Sequence, residues 1–151
     1  MQLVKALPEH IPDLVRISKA AFDSDVTVGS SAVGVPPEYD SPEWHIEMMN
    51  QGHLFAAIDG RTVIGGAILF GDENDDSFMY IGRIFISPDV FRRGYGIELM
   101  RQIESFHPRI TAWYLDTPIW NIRTNNFYKK VGYAEIKRDD EMIYYRKIIS
   151  R

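Results

Sequence analysis

Arg92, Arg93, Gly94, Tyr95 and Gly96 are the residues whose types and spacing carry the most chemistry. They lie in IGRIFISPDVFRRGYGIELM, between a strand that Ser87-Pro88-Asp89 stops and a helix that begins near Gly94. The pattern describes an anion cradle. The first N–H groups of a helix lack internal acceptors and the helix dipole adds partial positive charge, so backbone alone can hold phosphate oxygens. Glycines let that backbone approach, and Arg92 and Arg93 add charge where an ordinary helix start favours Asp or Glu. The alternative is that Gly94 and Gly96 serve tight packing while the arginines are simply solvated. No GxxxxGK[ST] occurs and no third glycine completes GxGxxG, which removes support for a nucleotide kinase or a dehydrogenase.

The elements that must position this turn follow from periodicity. Gln2–Ala6 alternates like a strand, and Ile11, Leu14, Val15, Ser18 and Phe22 then recur at helical spacing, with Pro12 tolerable in the first turn. Residues 23–40, rich in Ser, Gly, Val and Pro, read as a long surface loop. Ser41 is an N-cap candidate before Pro42 and Glu43, with Trp44, Met48 and Met49 as the buried stripe of a short helix. Strands over 53–58 and 61–70 flank the hairpin signal Asp59-Gly60, and Gly65-Gly66 predicts a bulge or a close backbone approach. After the acidic turn GDENDD come a strand over 77–86 and a helix over 94–106 with Leu99, Met100, Ile103 and Phe106 on one face. A strand over 110–116, a helix over 121–130 closed by Gly132, and a final hairpin of 133–137 and 142–148 complete the chain. The order βααβββαβαββ predicts an α/β fold, a mixed sheet covered by helices, with helix-linked central strands pairing in parallel.

Composition narrows the function classes. The chain has 151 residues, 45% apolar and 25% charged, enough for one packed domain over 1–151. Seventeen Lys and Arg against 21 Asp and Glu give a charge of -4, which argues against nucleic-acid binding through phosphate neutralisation. With no cysteine, disulfides, thiolate zinc sites, iron–sulfur clusters and a cysteine nucleophile are all excluded. His10, His45, His53 and His107 show no ligand spacing, so no metal site is expected. No apolar stretch approaches the ~20 residues of a membrane span, and Met1 leads into Gln-Leu-Val-Lys-Ala without a signal region, so a cytoplasmic protein without a membrane partner is expected.

At this level the sequence resembles the GNAT superfamily of acyl-CoA-dependent N-acetyltransferases. The family motif Val-x-Pro-x-x-[Gln/Arg]-x-x-Gly-x-[Gly/Ala]-x-x-Leu reads here Ile86-Ser-Pro88-Asp-Val-Phe91-Arg-Arg-Gly94-Tyr-Gly96-Ile-Glu-Leu99. A second signature looks like Asn121-Ile-Arg-Thr-Asn-Asn-Phe127-Tyr128-Lys-Lys-Val-Gly132-Tyr133, in the expected order. The resemblance implies a GNAT-like mixed sheet of about six to seven strands flanked by about four helices. It implies acetyl-CoA as co-substrate, with Phe91, Arg92, Arg93, Gly94, Tyr95, Gly96 and Ile97 gripping the pyrophosphate. Ile84, Phe85 and Ile86 would offer edge backbone to the pantetheine arm in a slot made by splaying strands. One departure is Phe91, where the family carries Gln or Arg; Arg92 stands where a glycine is common and offers charge in compensation.

Acyl transfer from a thioester to an amine needs a neutral amine, a donor for the developing oxyanion and a proton for the departing thiolate. Tyr128, a phenol protonated at pH 7, matches the family's acid; its other reading is a core aromatic beside Phe127. The base is not evident, because Gly82 and Arg83 stand where relatives often carry glutamate. Asp116, His53 and Glu43 are candidates, each with a plain alternative: a turn cap, a strand-end polar residue and a helix-dipole partner. Asn121 reads equally as an N-cap and as a coenzyme contact. The N-terminal helices and their connection, by the same resemblance, shape the acceptor pocket. The expected activity is direct transfer of acetyl to a primary amine of a small molecule or peptide. A non-catalytic acyl-CoA sensor, and an interaction module that forms a homodimer through the last hairpin's exposed edge, are the alternatives.

Overall fold

The computed structural model describes residues 1–25 and 36–150. Seven strands form one sheet in the order β1-β2-β3-β4-β5-β7-β6. They are β1 (Gln2–Lys5), β2 (Leu54–Asp59), β3 (Thr62–Asp72), β4 (Asp75–Ile86), β5 (Ala112–Pro118), β6 (Ala134–Arg138) and β7 (Met142–Ile148). The helices are α1 (Ile11–Asp23), α2 (Pro42–Asn50), α3 (Tyr95–Phe106) and α4 (Ile122–Lys130). This is a mixed α/β sheet with four flanking helices, as the resemblance leads one to expect. Among the described residues, no helix is long and apolar enough to cross a membrane.

Strand alternation sorts the core into two layers. Phe55, Ala57, Ala67, Leu69, Met79, Ile81, Trp113 and Leu115 face α3 and α4, meeting Leu99, Met100, Ile103 and Tyr128. Leu54, Ala56, Ile68 and Phe85 face α1 and α2, meeting Leu14, Ile17 and Met48. Side chains of α2 and α3 depart from the expected stripes. In α2 it is His45, fully buried, that lies inward with Met48, because its Nδ1 bonds the Ser41 carbonyl oxygen at 2.7 Å, while Trp44 and Met49 are half-buried. Phe106 at the end of α3 stays 44% exposed, its ring set edge-on against Phe55 at 5.4 Å. The acidic turn is shorter than expected: Asp72 pairs with Asp75, so only Glu73 and Asn74 lie between the strands. Of the loop expected over 23–40, residues 26–35 lie outside the described residues.

The sheet's central opening is built by local irregularities. β4 and β5 pair in parallel only at Phe78↔Ala112, Met79↔Trp113 and Tyr80↔Tyr114. On its other side β4 pairs with β3, but the register skips between Ile68↔Arg83 and Leu69↔Ile81, leaving Gly82 as an unpaired extra residue. Such a bulge bends its strand and ends pairing nearby; here it lies two residues beyond the last β4–β5 pair. β5 continues with β7 as far as Pro118↔Met142, and β4 continues with β3 as far as Ile86↔Gly65, so the two strands part. A close approach at Gly65-Gly66 holds β4 on the β3 side. A Cβ on Gly65 would collide with the Phe85 carbonyl oxygen, and one on Gly66 would come within 2.8 Å of Leu14 Cδ2 and 2.9 Å of the Phe55 carbonyl oxygen. The neighbouring bulge falls one residue earlier, on Ile64.

Candidate active site

β4 delivers the chain to the turn that the sequence marks as a candidate anion cradle, called the anion turn below. The Ser87 amide donates to the Ile64 carbonyl at 2.8 Å, Ser87 Oγ accepts from the Asp89 amide at 3.3 Å, and a short 3-10 turn over Pro88–Val90 closes with Phe91 N–H donating to Pro88 O at 3.3 Å. The backbone then reverses through two left-handed residues, Arg92 at φ 65° and Gly94 at φ 81°. Arg92 carries a side chain in a conformation that costs about 1–2 kcal/mol outside glycine, which gives the physical reason a glycine suits this position. α3 follows, its first internal bond running from the Glu98 amide to the Gly94 carbonyl at 3.1 Å. The amides of Arg92, Arg93, Gly94, Tyr95, Gly96 and Ile97 donate to no acceptor among the described residues. Six successive donors and an α-helix dipole therefore share one turn. Arg92 and Arg93 are exposed beside it, and neither is ion-paired among the described residues. Tyr95 ties the turn to the β2–β3 hairpin, its hydroxyl donating to Asp59 Oδ2 at 2.7 Å. Gly96 brings α3 against α4, where a Cβ would sit 3.2 Å from Phe127 Cε1.

Phe91, the departure from the family motif, has a partner the sequence did not reveal. The Arg123 guanidinium lies 5.2 Å from the centre of its ring, and Arg123 Nη2 also donates to Asp25 Oδ1 at 2.6 Å and to Ser24 Oγ at 3.2 Å. The first turn of α4 thus links the anion turn to the end of α1. Burial pushes the Asp25 carboxyl above its usual value, and Arg123 opposes that shift.

The parting of β4 and β5 leaves the 84–86 backbone paired with β3 on one side only. Tyr128 of α4 belongs to the core layer that packs on β4 and β5. It is buried, its ring 5.5 Å from Phe127, 6.1 Å from Tyr133 and 6.2 Å from Tyr145. Its hydroxyl bonds no described residue, and burial, with the charges of Asp116, Tyr80 and Asp25 adding, raises its pKa well above that of an ordinary phenol. The core-aromatic reading of Tyr128 is met by these ring contacts, and its hydroxyl is bonded to no described residue. Asn121 caps α4, its Oδ1 accepting from the Thr124 amide at 3.1 Å, and is only 2% exposed. Asn125 fastens the same helix to the end of β5 through the Pro118 carbonyl at 3.0 Å and accepts from the Tyr145 hydroxyl at 2.6 Å.

On the opposite face of the sheet, Tyr80 donates its hydroxyl proton to Asp116 Oδ2 at 3.0 Å, bridging β4 and β5 where they part. Burial raises the Asp116 carboxyl above the ordinary carboxylate value; Tyr80 opposes the shift and Asp139 adds to it. Burial, and then Asp116, push the Tyr80 phenol up. The pair opens on a cleft of about 310 Å³ walled by Phe78, Tyr114, Lys137 and Tyr144. Of the three base candidates, only Asp116 is brought here. His53 Nδ1 bonds the Leu69 carbonyl oxygen at 2.9 Å, and its ring packs on Phe70, which in turn stacks on Tyr80 at 6.4 Å. Glu43 stays in the first turn of α2, within 3.4 Å of Ser41 Oγ. Tyr80 was not singled out from sequence, although strand alternation already put it on the face opposite Met79 and Ile81.

Solved structures share this architecture. The PaiA N-acetyltransferase of Thermoplasma acidophilum, determined with coenzyme A, superposes with a TM-score of 0.82 at 16% identity over 98% of both chains. A GNAT family acetyltransferase of Streptococcus agalactiae gives 0.86 at 18% identity, over 99% of this chain and 96% of that one. Ard1 of Thermoplasma volcanium gives 0.76 at 16%, over 99% and 98%. At these identities the likeness establishes the fold. No curated protein matches the chain. Residues 14–133, most of the sequence, match the model of the acetyltransferase (GNAT) family, with the anion turn and the start of α4 inside the match; the chain belongs to that family.

Proposed function

We propose that this protein moves an acetyl group from acetyl-CoA directly to the primary amine of a small molecule or peptide. The observation that carries the reading is the run of six uncommitted amides at 92–97, a donor array suited to a diphosphate. The open edge of β4 at Ile84, Phe85 and Ile86 suits the amide groups of a pantetheine arm, and one neighbour of the same fold was solved with coenzyme A. Asp116, with Tyr80 bonded to it, accepts the proton released as the amine nitrogen forms its bond to the thioester carbon. As the carbon–sulfur bond breaks, Tyr128 donates its hydrogen to the sulfur, and solvent restores both groups. Burial raises the pKa of the phenol, yet the same dry surroundings raise that of a thiolate, so the mismatch between them is not widened by burial alone.

Acetyl-CoA at a hundred times its dissociation constant stabilises a protein by about 2.7 kcal/mol, which for a domain of this size raises Tm by roughly 5–10 °C. That rise, together with thiol released only when an amine is present, is the expected result. Stabilisation without any amine-dependent thiol would instead identify a sensor, and no stabilisation would remove the donor site.

A further inference from the structure

Arg83 is a half-buried cation without an ion-pair partner among the described residues. It follows the bulge residue Gly82 on β4, and the extra residue there has a consequence for facing. Three positions along a regular strand put side chains on opposite faces, but the bulge returns Arg83 to the face that carries Tyr80 and Phe85. Its guanidinium lies over the Trp44 ring of α2, 4.3 Å from the centroid, and Nη2 donates to the Pro37 carbonyl. Nη1 is buried and has no hydrogen-bond partner among the described residues. No described carboxylate lies within ion-pairing distance, and the acid whose charge acts on it is the exposed Glu38. Residues 26–35, VTVGSSAVGV, contain no acid at all. The other unpartnered polar atom of this corner, His45 Nε2, supplies no countercharge, because an imidazole is either neutral or cationic; burial, with the charge of Arg83 adding, favours its neutral form.

A desolvated guanidinium left unpaired is costly, whereas one that meets a ligand's acid group makes two parallel charge-assisted bonds. Arg83 and Tyr80 sense each other's charge along the same strand, so an anion held at Arg83 would lie beside the Tyr80–Asp116 pair. We infer that Arg83 is the receptor for a carboxylate on the acceptor. The acceptor class is then aminocarboxylates, with the amine presented to Asp116 and the acid end to Arg83. The inference rests on the acetyl-transfer reading and narrows it.

Amino acids, each paired with its own amide, test it, because the amide keeps the amine and body and removes only the negative charge. The α-amine of an amide is also the less basic of the two, so a preference for the acid runs against intrinsic reactivity. With acetyl-CoA and a thiol readout, acids of the right length are expected to exceed their amides at least tenfold in kcat/KM. Arg83→Gln is expected to raise KM for those acids tenfold or more and to bring the acid-to-amide ratio near one, with Arg83→Lys in between. Retention of the coenzyme A-induced rise in Tm by Arg83→Gln shows that the fold and donor site are intact. A wild-type protein that uses amides equally well, or a variant that loses acids and amides alike, overturns the assignment. Binding gives a second readout: the acids should raise the Tm of the wild-type coenzyme A complex and not that of Arg83→Gln. The absence of any such rise overturns the role of Arg83, while failure to bind coenzyme A overturns the transferase reading instead.

Discussion

Asp116→Asn is expected to lower kcat about 100-fold at pH 7, because an amide accepts a hydrogen bond but cannot take the proton that the attacking amine releases. The pH dependence gives the sign. Asp116 titrates above the ordinary carboxylate value through burial, so wild-type kcat should fall as pH drops through that raised pKa, and the variant should lack this limb. Stability should move the other way. A carboxyl whose folded pKa is raised contributes stability at low pH that is lost as pH rises through it, so removing the charge leaves the neutral-pH protein at least as stable. Loss of turnover with an unchanged or higher Tm identifies a proton acceptor. A variant that retains wild-type kcat from pH 6 to 9 would remove Asp116 from the reaction.

Tyr128→Phe is expected to lower kcat by roughly 10–100-fold while the KM for acetyl-CoA stays within about twofold, since in the proposed transfer the hydroxyl acts on the sulfur only as the carbon–sulfur bond breaks. The fold should tolerate the change. The ring contacts with Phe127, Tyr133 and Tyr145 remain, and the deleted hydroxyl bonds no described residue, so the usual cost of an orphaned partner does not arise. Because burial holds the phenol well above its ordinary pKa, no alkaline limb below about pH 10 should belong to it. Steady-state kinetics beside a melting curve separates these outcomes: equal kcat would return Tyr128 to a purely packing role.

Much of this arrangement was legible in the residues themselves. Helical spacing located α1 and α3, Asp59-Gly60 marked the β2–β3 turn, and Ser41 and Asn121 cap their helices as their types suggest. The turn between β4 and α3 was legible because its glycines and arginines cluster between a strand and a helix. The Tyr80–Asp116 pair was only half legible, since its members lie 36 residues apart and, although parallel pairing of their strands was expected, no local pattern encodes its register. Side-chain facing in α2 was misjudged for a related reason. Hydrophobicity favours Trp44 over His45 as the inward residue, but the imidazole finds the Ser41 carbonyl inside while the indole covers the Arg83 guanidinium. Arg83 itself read only as a missing glutamate, and its significance appears once the bulge at Gly82 fixes the face it occupies.

The most direct test is an amide-resolved NMR titration of the wild-type protein with coenzyme A. Donation from 92–97 to the diphosphate requires those six backbone signals to show the largest downfield shifts, saturating together with the rise in Tm. If coenzyme A bound and those signals stayed in place while shifts gathered elsewhere, the donor site would lie on another surface and the proposed chemistry would lose its anchor.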